Sequence, residues 1–232
     1  MRRALSCVLL LLLSAPLALA APERPSLRVA LFDVAPYALS NAGRLDGIYV
    51  RLARELLAEA GLDARIELVP FARIPLLIGQ DGSDMTISFA TEALEAAAER
   101  LGTVMYVESL VVTSRARPAS QLADLSGALI GRARGGCQDL RARDDLGLRW
   151  LDIKGFDNAL KMLALGRLDG LCLTRDVLKH YAAVAEVERD SLGTEIVIGR
   201  RPVLVFVRKG LDAGTVDRLR NVLASRKPRS TD

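Results

Sequence analysis

The chain has 232 residues, 50% of them hydrophobic and 4% aromatic, with Lys+Arg 32 against Asp+Glu 28, a formal net charge of +4. The cations form no block, which argues against a nucleic-acid binder, and the few aromatics argue against a stacking platform. One histidine and three cysteines offer no metal-ligand spacing, and no cofactor is expected.

Residues 1–20 read as a signal peptide: Arg2 and Arg3 start it, Leu9 to Leu13 form an apolar run, and Ala18-Leu19-Ala20 is a small-x-small cleavage site. The run is short for a membrane span. Cys7 precedes most of it, whereas a lipid-attachment cysteine follows such a run. The expectation is a soluble protein exported to the periplasm and beginning near Ala21. Losing Arg2 and Arg3 takes Lys+Arg from 32 to 30 against 28 acidic residues, so the net charge falls from +4 to +2. Cys137 and Cys172 then lie in a compartment that permits disulfides. They are either two small buried hydrophobes or a bridge between carboxyl ends of strands in one lobe, subject to strict geometry.

Leu27 to Phe32 reads as the first strand, ending at Asp33 and Ala35-Pro36-Tyr37. Proline forces an extended turn there and leaves Tyr37 at the mouth of the sheet. Asn41 to Gly47 is a loop or hairpin. Ile48 to Ala60 is an amphipathic helix with Ile48, Leu52, Leu56 and Leu57 on one stripe, closed by Gly61. Arg65 to Val69 is a second strand. Pro70-Phe71-Ala72-Arg73 leads into a short helix, Ile74 to Ile78, followed by Gly79 to Asp84 and the strand Met85 to Phe89. Glu92 to Arg100 is alanine-rich and helical by propensity. Val104 to Thr113 is β-branched and leaves the first lobe as a strand.

Ser114 to Gln121 is polar and proline-containing, the candidate crossover. A strand at Ala128 to Gly131 precedes Gly135-Gly136-Cys137-Gln138, where a helix start can offer backbone N–H groups to an anion or simply turn the chain. Arg149 to Ile153 is a further strand. Phe156 to Ala164 has helical spacing, with Phe156, Leu160, Leu163 and Ala164 on one side. Gly166 caps it, and Asp169-Gly170 opens the strand Leu171-Cys172-Leu173, which ends in Thr174, Arg175 and Asp176. That unit repeats the order of Ile74 to Phe89, helix, glycine, aspartate, strand, and suggests two similar lobes. Val177 to Ala185 continues as helix and carries His180, read as a solvent-facing residue. Glu195 to Ile198 and Val203 to Val207 read as strands, Ala213 to Leu223 as the last helix, and Ser225 to Asp232 as a fraying tail.

The order of these landmarks resembles the periplasmic solute-binding proteins of the amino-acid-binding type, the extracellular solute-binding family three. The carriers are the early strand into Pro36-Tyr37, Gly43-Arg44-Leu45-Asp46-Gly47-Ile48, Gly79 to Asp84, Leu122-Ala123-Asp124-Leu125-Ser126-Gly127, Gly166-Arg167-Leu168-Asp169-Gly170 and Val205-Phe206-Val207-Arg208-Lys209-Gly210. The resemblance covers essentially the whole mature chain.

It implies an α/β fold, the two-lobe periplasmic binding protein of type II, with two hinge crossovers and a cleft between lobes. Residues 21–113 plus 195–232 would form lobe 1 and residues 114–194 lobe 2. Tyr37 and Phe71 would wall the cleft, and Ser88 and Phe89 would floor it. Arg73 or Arg100 would meet an anion, while the Gly135-Gly136 backbone and Thr174 would close from the second lobe. The partners implied are a small-molecule ligand and the membrane permease of an ABC-type importer for amino acid transport, with no nucleic acid and a monomeric state.

Three departures redirect the choice of ligand. The family places an arginine three residues after a threonine to grip an α-carboxylate, but Thr91 is followed there by Leu94, which cannot replace a bidentate contact. Thr174 stands where an aspartate commonly meets the α-ammonium, and Asp176 falls on the next helix. Cys137 follows Gly136 where threonine or serine is usual, and a thiol is a poor donor. The expected ligand is therefore a small polar or anionic solute. Two alternatives share the fold: a sensor reporting to a membrane receptor, and a periplasmic dehydratase-like enzyme. For the latter, Asp33 and Glu108 are the candidate acids, without a partner group to tune them; no catalytic residue is assigned.

Overall fold

The computed structural model describes residues 25–230; the expected signal peptide, Cys7 and the last two residues of the tail lie outside them. In chain order the elements are β1 Ser26–Phe32, β2 Leu39–Asn41, β3 Arg44–Asp46, α1 Ile48–Glu59, β4 Asp63–Val69, α2 Ile74–Gly79, β5 Met85–Ser88, α3 Glu92–Ala97 and β6 Ala98–Ser114. They continue as β7 Leu129–Ala133, α4 Gln138–Arg141, β8 Arg149–Ile153, α5 Phe156–Ala164, β9 Gly170–Thr174, α6 Arg175–Val184, β10 Leu192–Arg208, α7 Ala213–Ser225 and β11 Arg229–Ser230.

One sheet runs through the molecule in the order β4-β1-β5-β10-β6-β9-β7-β8. Its two halves are built alike. In the first, β1 lies parallel to both β4 and β5, and β5 meets β10 antiparallel. In the second, β7 lies parallel to both β8 and β9, and β9 meets β6 antiparallel. The long ribbon of β6 against β10 joins them, with register shifts between Val197 and Gly199 and between Val203 and Leu204 on β10.

The recurring glycine–aspartate units do the same work in each half. Asp84 stands just before β5, and its Oδ2 accepts the Arg28 backbone N–H of β1 at 2.9 Å. Asp169 stands just before β9, and its Oδ2 accepts the Leu129 backbone N–H of β7 at 2.7 Å. Each aspartate thus fixes where its strand lies against the neighbouring parallel strand, by a charge-assisted bond to a backbone donor.

Local sequence explains the helix ends. In α1, Tyr49, Val50, Leu52, Ala53, Leu56 and Leu57 face the core. Its exit is a glycine-terminated cap in which Gly61 adopts φ +70° and Leu62 N–H returns to Leu57 O at 2.8 Å. After α5, Gly166 (φ +68°) and the Arg167 N–H to Met162 O bond of 2.9 Å repeat that device. The loop over Asn41 to Gly47 is the β2–β3 hairpin, whose turn residues Ala42 and Gly43 both have positive φ, 48° and 78°. That is the pair of signs a type I′ turn demands.

Four expectations change. Ala98–Arg100 are strand rather than helix, because they pair with Phe206–Arg208 of β10 and that tertiary pairing outweighs alanine-rich propensity. The two strands expected at 195–198 and 203–207 are one bulged strand, β10. Ser114–Gln121 is not where the chain crosses between halves, because Ser109–Thr113 of β6 already pair with β9. The tail does not simply fray through 226–230: Arg229 and Ser230 pair with β6, and Arg226 and Arg229 bind Glu55 and Glu59 of α1.

Candidate functional site

The carboxyl ends of β1, β5, β7 and β9 converge between the halves, where sheets of this kind hold ligands. A cavity opens there. Its first-half wall is aromatic and centres on Phe32, the last residue of β1. The Phe32 ring meets Tyr49 edge-on at 5.3 Å, Phe71 edge-on at 5.4 Å, and Phe89 in a stack at 6.1 Å. Tyr37 stacks on Tyr49 at 4.6 Å. Phe32, Tyr37, Phe71 and Phe89 all line the cavity.

Tyr37 is held there by backbone geometry. The first N–H groups of α1 have no partner within the helix. Here Ile48 N–H donates to Pro36 O at 3.0 Å and Tyr49 N–H to Tyr37 O at 2.8 Å. The close approach requires Gly47, since a Cβ at that position would stand 2.4 Å from the Tyr37 carbonyl oxygen.

The Tyr37 hydroxyl crosses to the second half. It lies 2.6 Å from Thr174 Oγ1 and donates to Asp176 Oδ2 at 3.2 Å. Thr174 Oγ1 also caps α6, accepting the Val177 N–H at 3.4 Å. With the Tyr37 proton directed at Asp176, the Thr174 hydroxyl donates to Tyr37. Burial drives the Tyr37 phenol far above its ordinary range, against the opposing Thr174 hydrogen bond, with Asp176 adding to the rise; Tyr37 stays a donor.

From the second half come Gly135, Gly136, Cys137 and Thr174. Cys137 and Cys172 form a disulfide, with Cα atoms 6.3 Å apart, so the turn before α4 is fastened to β9. The Gly136 N–H is spent on Ala133 O at 2.8 Å and α4 has only 4 residues, so this turn does not offer an open row of amides to an anion.

The arginines expected to meet a ligand stand elsewhere. Arg73 is exposed and lies outside the lining. Arg100 is at the start of β6 and pairs with Glu95 of α3. Ser88 is buried and faces a separate depression beyond Phe71. Leu94, in the place of the usual arginine, is core, 1% exposed. Among the described residues, Arg201 is the one cation lining the cavity and Asp139 the one carboxylate, and they form an ion pair. Neither was expected from the sequence, nor were Phe32 and Phe156, which also line the cavity. Phe32 could have been found by its place at the end of β1; the arginine could not.

The candidate acids of an enzyme are placed otherwise. Asp33 is exposed, Glu108 pairs with Arg175, and neither lines the cavity. His180 is half-buried rather than solvent-facing, edge-on to Tyr181 at 4.9 Å.

Three parallel strands in each half, an antiparallel ribbon between them and a cavity at the junction define a two-lobe α/β protein with the type II periplasmic binding protein fold. No protein-family model matches the chain, and no curated protein matches it in sequence. Among solved structures it is similar to an ancestral arginine-binding protein bound to arginine, with a TM-score of 0.72 and 20% identity over 87% of this chain and 92% of that one. A histidine kinase sensor domain with similarity to periplasmic binding proteins superposes with a TM-score of 0.74 at 20% identity, over 87% and 90% of the two chains. An ancestral amino acid-binding protein described as a precursor of cyclohexadienyl dehydratase gives 0.68 at 17% identity, over 86% and 88%. These likenesses establish the fold.

Proposed function

We propose that the chain is a periplasmic binding protein that captures a small polar or anionic solute by closing its lobes, and delivers it as a monomer to the permease of an ABC-type importer. The observation that carries this reading is a cavity lined from both halves and bridged by Tyr37 and Thr174. A solute touching both halves favours the shut form by its differential contacts. The moving bodies are the two halves of the sheet, with their passages near the middle of β6 and β10, where pairing to β9 gives way to pairing with the first half.

The absence of the arginine and aspartate of amino-acid binders at Leu94 and Thr174 supports a ligand other than an ordinary α-amino acid. The likeness to a substrate-binding protein of an amino acid ABC transporter, TM-score 0.69 at 17% identity, supports the transport role. The likeness to a kinase sensor domain supports a second reading, a sensor that uses the same closure. The positions of Asp33 and Glu108 support binding over catalysis.

The test is thermal denaturation of the chain from Ala21 against amino acids, amines, carboxylates and sugars, with small-angle scattering of each mixture. A solute at about a hundred times Kd adds roughly 2.7 kcal/mol to stability and compacts the molecule. If no solute in the panel does either, the binding reading fails.

A further inference from the structure

Within the cavity wall, Arg201 and Asp139 differ in how they meet water. The Arg201 side chain is 19% exposed and that of Asp139 47%. Arg201 projects from β10, beside the joint of the two halves, with its guanidinium 6.0 Å from the Phe89 ring centre. Much of the cavity lining is apolar, with Phe32, Phe71, Leu140, Phe156 and Ile198 among its residues. Tyr37, Thr91, Ser109, Gln138 and Thr174 add polar side chains to the lining.

We propose that Arg201 binds the anionic group of the ligand and that Asp139 is an internal carboxylate which the ligand displaces. The ligand of this site is then a small monoanion with an apolar body. The inference rests on the binding reading above and names its solute class.

A guanidinium largely shielded beside apolar side chains favours an anionic partner, because an unpaired charge held away from water is costly. Asp139 is that partner in the structure. Being half-exposed, it can turn to water at little cost, whereas Arg201 is the more shielded of the two. A ligand carboxylate offers the planar, two-oxygen face that an arginine fork matches, and the aromatic wall takes the rest of the molecule. The displacement is confined to a side chain, since the Cys137–Cys172 bridge fastens the turn that leads into α4. A zwitterion would instead insert between the two charges and keep Asp139 as the partner of its ammonium. The two cases give opposite signs when Asp139 is neutralised.

The experiment uses the chain from Ala21 with phenylacetate, hexanoate, phenylalanine, leucine and benzyl alcohol, read by thermal shift and calorimetric titration. We expect phenylacetate or hexanoate to bind at least tenfold more tightly than benzyl alcohol. Asp139→Asn should tighten that carboxylate about threefold or more, and Arg201→Gln should weaken it at least tenfold. Weaker carboxylate binding by Asp139→Asn overturns the displacement, and unchanged affinity in a folded Arg201→Gln overturns the anchor. If Arg201→Gln does not fold, the sign of the Asp139→Asn effect decides. Stabilisation by phenylalanine, leucine or benzyl alcohol but by neither carboxylate overturns the inference and leaves the binding reading standing. Stabilisation by nothing in this panel or the broader one overturns both.

Discussion

The Tyr37 hydroxyl stands 2.6 Å from Thr174 Oγ1, and the two residues belong to opposite halves of the sheet. Tyr37 hangs from the turn after β1, and Thr174 ends β9. The contact is therefore made only when the halves are together. Tyr37→Phe keeps the ring stack on Tyr49 and removes the hydroxyl. A hydrogen bond of this kind contributes about 1 kcal/mol, so the ratio of shut to open form should fall about fivefold. Small-angle scattering should show a more extended molecule, and bound solutes should dissociate faster. An unchanged scattering profile and affinity would sink the latch.

Gly47→Ala places a methyl group against the Tyr37 carbonyl at 2.4 Å on a backbone with φ +122°. Strain of both kinds should cost about 3 kcal/mol, seen as a lower urea midpoint with unchanged slope. Tyr37 must shift to relieve it, so solute binding should weaken as well. A variant as stable as the parent would refute this account of how Tyr37 is positioned.

Asp84 sets an acid limit on stability. Burial pushes its carboxyl up, but hydrogen bonds from the Arg28 side chain and backbone and from Arg208 outweigh that and hold its pKa at about 2, below the ordinary 3.8. A carboxylate with a depressed folded pKa stabilises above its unfolded pKa, and that stability is lost as pH falls through the folded value. The chain should therefore lose stability between roughly pH 4 and pH 2. Asp84→Asn should be less stable at pH 7 and should lack this group's share of the acid slope. Equal slopes in chemical denaturation at stepped pH would contradict it.

The Cys137–Cys172 bridge spans a sequence separation of 35 residues. Loop closure of that length corresponds to about 4 kcal/mol in the chain-entropy account. The Cys137→Ser, Cys172→Ser double variant should be less stable by about 3 to 4 kcal/mol and should bind solutes less tightly, because both residues line the cavity. Unreduced protein from Ala21 should take up no alkylating agent; two modified thiols would show that the bridge is absent.

Much of the fold was legible because its signals are local. Gly61 and Gly166 end helices by adopting positive φ, a choice that needs no distant partner. The helix–glycine–aspartate–strand units announced two similar halves, and Asp84 and Asp169 grip β1 and β7 in the same way. The resemblance to the solute-binding proteins pointed to Tyr37, Phe71, Phe89, Gly135, Gly136 and Thr174 as cleft residues, and these six line the cavity between the halves. The continuity of β10 and the early start of β6 were hidden, since each follows from the ribbon the two strands make together.

The sequence alone determined the helix caps at Gly61 and Gly166, because each depends on neighbours a few residues away. The tertiary structure alone decided which charge enters the cavity. Arg200 and Arg201 are adjacent on β10, and a strand sends neighbours to opposite faces. Arg200 lies over Tyr106 at 4.8 Å, while Arg201 lines the cavity and meets Asp139. Which of the two turns inward is set by the register shifts of β10 against β6. A slip of one residue would exchange them, and nothing local in Ile198-Gly199-Arg200-Arg201-Pro202 fixes that register.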